Sequence, residues 1–405
     1  MAEPLPYIGF GSRGFVMSDD VLIEENLEEE LQDLEVSGDW SRGAVLWSTD
    51  WTTETVISQL DKQNIDLDPS FQRRSAWDEK KQSLFIESLA LGLPIPQLIL
   101  AENRKKRGSF IVIDGKQRLL ALRRFGSTKP NTGFTPLKLR GLQKLKNLNG
   151  KTYADMQQDL GLDDDRAAFE NSSIRTIIIR NADQEEYLYE VFLRINTGSV
   201  QLSPQELRQA LHPGPFSTFV NEASAASQEL RATLKLKEPD FRMRDAEILL
   251  RFLAYSNFID TYAGNLKVFL DRTTEALNDD WPTREVELRT QVTEFENALE
   301  FTRNAFGDKF YLRKWNGKEF ESKKNRAVFD IMLHYFSDQT IRQALAGKEK
   351  DITDAFVKLC DQDDFRSSLE TTTKSIEANR IRFNRWGDAV QALSGVDTSS
   401  KKFTG

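Results

Sequence analysis

In this chain of 405 residues, the side chains whose types and spacing best suit chemistry lie within five positions, Asp114-Gly115-Lys116-Gln117-Arg118. They supply one carboxylate, one amide and two cations. The flanking residues say how these groups are held. Phe110 to Ile113 is a short apolar run that reads as a buried strand. Asp114-Gly115 is a turn dipeptide. Leu119, Leu120, Leu122 and Phe125 then recur at helical spacing, and Gly126 stands where a helix would stop. Strand, sharp turn and helix leave unpaired backbone N–H groups at the new helix N-terminus, which is a natural anion site. Lys116 and Arg118 beside them suit phosphate, and arginine can grip it bidentately. Asp114 can hold a metal, position a water or fix the turn. The plainer alternative is an ordinary Asp-Gly turn flanked by solvated cations.

Other chemistries have little material to work with. There are two histidines, His212 and His334, and one cysteine, Cys360. They cannot build a zinc site of the common kind, and no disulfide can form within the chain, which fits a reducing cytoplasm. Cys360 lies in Phe356-Val-Lys-Leu-Cys360, a pattern of packed helix, and reads as a buried structural thiol. His334 sits in a core-type helix and His212 at a helix end. No Gly-x-x-x-x-Gly-Lys-Ser/Thr loop, Gly-x-Gly-x-x-Gly or His-Asn-His pattern occurs. Asp163-Asp-Asp165 lacks the alternating spacing of a cation loop and reads as a loop or cap. No run approaches the ~18 apolar residues of a membrane span, and no basic-then-apolar start reads as a signal peptide.

The net charge is −8, which argues against a protein that coats DNA along its whole surface. The charge is uneven, however. Ser18 to Asp39 holds ten acidic residues and no basic one, whereas Pro69 to Gly126 holds twelve Lys/Arg against five Asp/Glu, a net of +7. The basic segment is centred on the Asp114–Arg118 motif. Within it, Arg104-Lys105-Lys106-Arg107 reads as a hairpin tip, placed either to meet a phosphate backbone or simply to be solvated.

The surrounding elements follow in order. Residues 1–45 form an acidic segment that is either a mobile tail or a short masking helix built on Leu27, Leu31 and Leu34. Residues 46–212 make the first domain. Thr53 caps a helix through Leu60, Ser75 with Asp78 resembles a capping box, and Gln97 to Leu100 is a short strand. Tyr153 to Leu160 is a short helix, and Ile174 to Arg180 is the clearest strand. Asp183 starts a helix ending in Arg194-Ile-Asn196-Thr-Gly198. Ser203-Pro204-Gln-Glu206 opens the next with cap, first-turn proline and capping box. His212-Pro213 marks a domain edge. Residues 213–393 read as helical throughout, and 394–405 as a disordered tail.

Five short motifs occur in order: Pro69-Ser-Phe-Gln72-Arg73 with Trp77, Leu93-Pro-Ile-Pro96, Asp114-Gly-Lys-Gln-Arg118, Leu193-Arg194-Ile-Asn196-Thr-Gly198, and Leu202-Ser-Pro-Gln-Glu206-Leu-Arg208. Together they resemble the N-terminal domain family of GmrSD-type modification-dependent restriction endonucleases. That resemblance implies an α+β chain, with a small ParB/sulfiredoxin-like α/β domain followed by an all-α domain. It implies NTP binding and hydrolysis, with Mg2+, in a DNA restriction or phage-defence system. It places Lys116, Gly115 and Arg118 on the phosphates and Asp114 on a metal or a water. Gln117 would orient the water, Gln72 and Arg73 would line the pocket, and Arg194 and Asn196 would close it. Asp114, Gln117 and Arg118 are then the catalytic candidates. Glu206 reads as a helix cap and Arg208 as a salt-bridging residue. Lys116 replaces the family's glutamine, which leaves open whether hydrolysis is retained. One alternative is a nucleotide-dependent switch without turnover that binds DNA or a partner protein, and a weaker one is phosphodiester cleavage at the same pocket. Expected partners are DNA, a separate nuclease or defence component, and a second copy of the chain.

Overall fold

Ile174, Thr176 and Ile178 are fully buried β-branched residues on one face of a strand, the composition of a strand with neighbours on both sides. In the computed structural model, which describes residues 44–65, 67, 74–104, 106–127, 133–182, 185–195, 203–370 and 375–404, this strand is inside a four-stranded sheet. β1 (Val45–Thr52) pairs antiparallel with β4 (Ser173–Arg180), in register from Val45↔Arg180 to Thr52↔Ser173. β2 (Leu98–Glu102) runs parallel to β4 on its other side. β3 (Phe110–Asp114) closes the order β1-β4-β2-β3 as the antiparallel partner of β2. Arg104 and Lys106 to Gly108 lie at the hairpin tip between β2 and β3.

The period-2 alternation of strands sends residues to two cores. Leu98, Leu100, Val112 and Ile174 face one side, against α1 (Thr53–Asp61), α2 (Glu79–Ala90), α3 (Lys116–Gly126), α4 (Tyr153–Gln158) and α5 (Asp163–Asn171). Ile99, Ala101, Ile113 and Ile179 face the other, against α6 (Glu185–Ile195) and α7 (Pro204–Leu211). The sheet is therefore covered on both faces, and the β3–α3 turn lies at its edge.

The rest is a helical assembly. α8 (Pro215–Ala226), α9 (Gln228–Leu234), α10 (Arg244–Phe258), α11 (Leu266–Asp279) and α12 (Trp281–Phe310) come first. α13 (Arg326–Phe336), α14 (Gln339–Leu345), α15 (Glu349–Cys360), α16 (Asp363–Glu370) and α17 (Ile376–Ser394) follow. A hairpin of β5 (Arg313–Trp315) and β6 (Phe320–Lys324) interrupts the helices, seeded by Gly317 in the left-handed region. α10 and α13 are buried nearly all round and centre the core. Cys360 is fully buried there, and burial pushes its thiol up to about 12, so it packs rather than reacts.

Three expectations are corrected. Thr52, not Thr53, caps α1, accepting from the Thr55 N–H at 3.1 Å, while the Thr53 hydroxyl donates to the Ser172 carbonyl at 3.2 Å. Ser75 does not cap a helix. Asp78 does, accepting from the Lys81 N–H at 2.7 Å, while Ser75 turns to Gln117. The tail is also packed rather than disordered from residue 394 to 404. Phe403 is 2% exposed and lies against Tyr262. Its backbone exchanges hydrogen bonds with the Asn384 amide. Its polar composition hid one apolar anchor. Asp163 to Asp165 form the first turn of α5, as acidic residues at a helix N-terminus do.

Candidate functional site

β3 ends at Asp114, and Gly115 turns the chain with φ 104° before α3 begins. A Cβ at Gly115 would stand 2.4 Å from Leu98 Cδ2 and 3.3–3.4 Å from the Arg118 guanidinium. Only glycine fits there, for sterics and for backbone angle together. Gly115 is the N-cap of α3, and no side chain caps this end. The first-turn amides and the dipole thus meet at the motif.

Arg118 folds back over this turn. Its Nη2 donates to Asp114 Oδ2 at 2.8 Å and to the Gln97 carbonyl at 3.0 Å. Its Nε is buried and has no hydrogen-bond partner among the described residues, although the side chain is only 7% exposed. Lys116 is equally buried and donates to Glu206 Oε1 at 2.6 Å. The other Glu206 oxygen accepts from the Ser203 N–H at 2.8 Å. Glu206 therefore closes the expected capping box and also holds Lys116. Gln117 is turned toward the preceding loop, its Oε1 accepting from Ser75 Oγ at 3.0 Å and the Trp77 N–H at 3.3 Å. Asp114, Gly115, Lys116, Gln117 and Arg118 are thus together, with Glu206 and Ser75 as neighbours.

The remaining candidates divide. Gln72, Arg73, Asn196 and Lys105 lie outside the described residues. Arg194 is exposed and pairs with Glu190 one turn before it. Arg104, Lys106 and Arg107 are exposed on the hairpin tip, where Lys106 Nζ reaches the Gln63 carbonyl at 3.2 Å. The positive excess of this region does not make α3 a basic surface. Arg123 pairs with Asp61 and Arg124 with Glu79, and all four cations of α3 are buried. Arg208 is a salt-bridging residue as expected, donating to Asp271 Oδ1 at 2.6 Å.

One residue that composition did not single out stands beside the motif loop. Arg74 is 2% exposed and ties that loop to the helical half. Its Nε donates to Asn221 Oδ1 at 2.8 Å, and its Nη1 to Asp245 Oδ1 and the Asp240 carbonyl, each at 2.6 Å. Its only sequence signal is the Arg73-Arg74 doublet, in which nothing marks the second arginine as buried. Asp245 lies in the first turn of α10, and burial raises its carboxyl against the pull of Arg74. Two residues on, Glu247 is also buried, which favours its neutral form. Arg326, Arg251, Arg208 and Arg244 outweigh this and hold it below the usual range. A buried layer of ion pairs thus joins α7, α10, α11 and α13.

Among the described residues no group of three or more His, Cys, Asp and Glu could hold a metal ion. Asp114 offers one carboxylate, already engaged by Arg118. That does not make a cage of protein ligands for a metal ion.

Residues 55–213 match the family model described as GmrSD restriction endonuclease, N-terminal domain. The match runs from α1 to the residue after His212, and it is the family that the five ordered motifs resemble. It points to restriction or defence as the setting of this domain. Comparisons with curated proteins and with solved structures find no match. No helix among the described residues is long and apolar enough to cross a membrane.

Proposed function

We propose that the first domain, on a ParB/sulfiredoxin-like scaffold, binds and hydrolyses a nucleoside triphosphate as a component of a DNA restriction or phage-defence system. The observation that carries this reading is the buried Arg118 Nε beside Gly115, which has no hydrogen-bond partner among the described residues, at a helix N-terminus that none of their side chains caps. A phosphate oxygen there would meet a guanidinium N–H, first-turn amides and the positive end of α3. Lys116 would add charge once Glu206 releases it. Magnesium would come with the nucleotide and shield its charge, with Asp114 the nearest carboxylate. The Arg104–Arg107 tip would meet a DNA backbone, and cutting would fall to a separate nuclease partner.

A second reading is a nucleotide-dependent switch without turnover. It is favoured by the commitments of Asp114 to Arg118 and of Gln117 to Ser75 and Trp77. These are the groups that would position an attacking water. One experiment separates the readings: phosphate release from each of the four NTPs with magnesium, with and without DNA, for wild type and Arg118→Ala. Turnover lost in the variant supports hydrolysis at this turn. Saturable binding without turnover, lost in the variant, supports the switch. Neither turnover nor binding overturns both. Plasmid nicking that vanishes in Asp114→Ala would instead assign phosphodiester cleavage to the pocket.

A further inference from the structure

In the helical half, one face of α11 is left partly open. Asn265, Val268, Phe269, Arg272, Thr273 and Ala276 recur at the spacing of a single helix face and line a cavity of about 250 Å³. Phe258, at the end of α10, supplies the facing wall. The lining is mainly apolar, and two polar groups within it are unused. Thr273 is 2% exposed, yet its Oγ1 has no hydrogen-bond partner. The next residue shows the usual solution, since Thr274 returns its hydroxyl proton to the Leu270 carbonyl at 2.7 Å. Arg272 stands exposed at the rim and has no ion-pair partner among the described residues.

A buried hydroxyl without a partner is costly unless something meets it. Thr273 and Arg272 would give an ordered water no more than the minimum of its two to four polar partners, and most of the lining surface is aromatic and aliphatic. The volume lies just below the ~300–1,000 Å³ of pockets for drug-sized ligands, which suits a molecule of about ten non-hydrogen atoms. We infer that this cavity binds a small arylalkyl carboxylate. Its ring packs against Phe258 and Phe269, and its carboxylate accepts from the Thr273 hydroxyl and the Arg272 guanidinium. The site lies on the helix that carries Asp271, the partner of Arg208 on α7.

The test is titration of the full chain with phenylpropionate, using neutral phenylpropionamide as the control. Wild type should bind the carboxylate saturably, with a Kd of about 1 mM or tighter. Arg272→Gln, a surface change that leaves the fold alone, should weaken the carboxylate about tenfold and leave the amide unchanged. Ala276→Phe, which fills the cavity, should abolish both. The inference is overturned if wild type shows no saturable binding of phenylpropionate, if Arg272→Gln weakens amide and carboxylate alike, or if Ala276→Phe still binds either.

Discussion

Each cation of the Asp114–Arg118 motif already has an anionic partner, and this sets what single substitutions should do. Lys116 and Glu206 are both nearly buried, so removing one charge leaves the other uncompensated. Glu206→Gln should cost about 2–4 kcal/mol of stability. It should also let inorganic phosphate raise the melting temperature more than in wild type, because Glu206 no longer balances the Lys116 charge. An equal phosphate shift in both proteins would remove Lys116 from the site. Gly115→Ala places a Cβ in the left-handed region and against Leu98. It should lower stability by about 1–3 kcal/mol and reduce NTP binding along with it. Calorimetry and nucleotide titration on the same sample would check both.

The β5–β6 hairpin carries a pH-sensitive group. Lys324 is 3% exposed, and its Nζ donates to the Tyr311 carbonyl at 3.1 Å and lies over that ring. Burial first, and then Arg313 and Lys235, pull its ammonium down to about 7. The unfolded chain keeps the ordinary lysine value, ~10.4. Between these values the unfolded state binds more protons, so stability should rise with pH from about 7 to about 10. Lys324→Met should flatten that rise and stabilise the protein most below pH 7, as read from denaturant midpoints across pH. His334 on α13 works in the acid range. Burial, then Lys401, holds its imidazole down to about 3, and the unfolded value is ~6.5. Stability should therefore fall as pH drops from about 6.5 towards 3, with a slope approaching ~1.4 kcal/mol per pH unit from this group.

The two halves of the molecule are joined by Arg74–Asp245 and by Arg208–Asp271. Breaking one partner of such a buried pair typically costs 3–5 kcal/mol. Arg74→Ala should therefore destabilise by about that amount. Wild type should unfold in one transition and Arg74→Ala in two, because Arg74 links its loop to Asn221 and Asp245. A single transition at unchanged temperature would show that the loop does not couple the halves. The packed tail adds to the same core, and Phe403→Ala should cost about 3 kcal/mol through the cavity left beside Tyr262.

Local signals in the chain marked several of these parts correctly. The Phe110–Gly126 strand-turn-helix was legible because an apolar run, an Asp-Gly turn and a 3.6-residue stripe agree there. The capping box at Ser203–Glu206 and the β-branched run Ile174–Arg180 were legible for the same kind of reason. Cys360 and His334 read as core residues because their neighbours are helical and apolar. What local pattern cannot hold is the identity of a partner far along the chain. Lys116 meets Glu206 ninety residues on, Arg74 meets Asp245 after 171 residues, and Arg208 meets Asp271 after 63. Arginines that a charge count reads as a basic surface are buried ion pairs for that reason. The strand β1 escaped notice because its outer half is exposed and lacks alternation, and the tail because one phenylalanine anchors it. Local sequence thus settled where the β3–α3 turn and its uncapped helix N-terminus would form, while folding settled which charges around that turn are engaged.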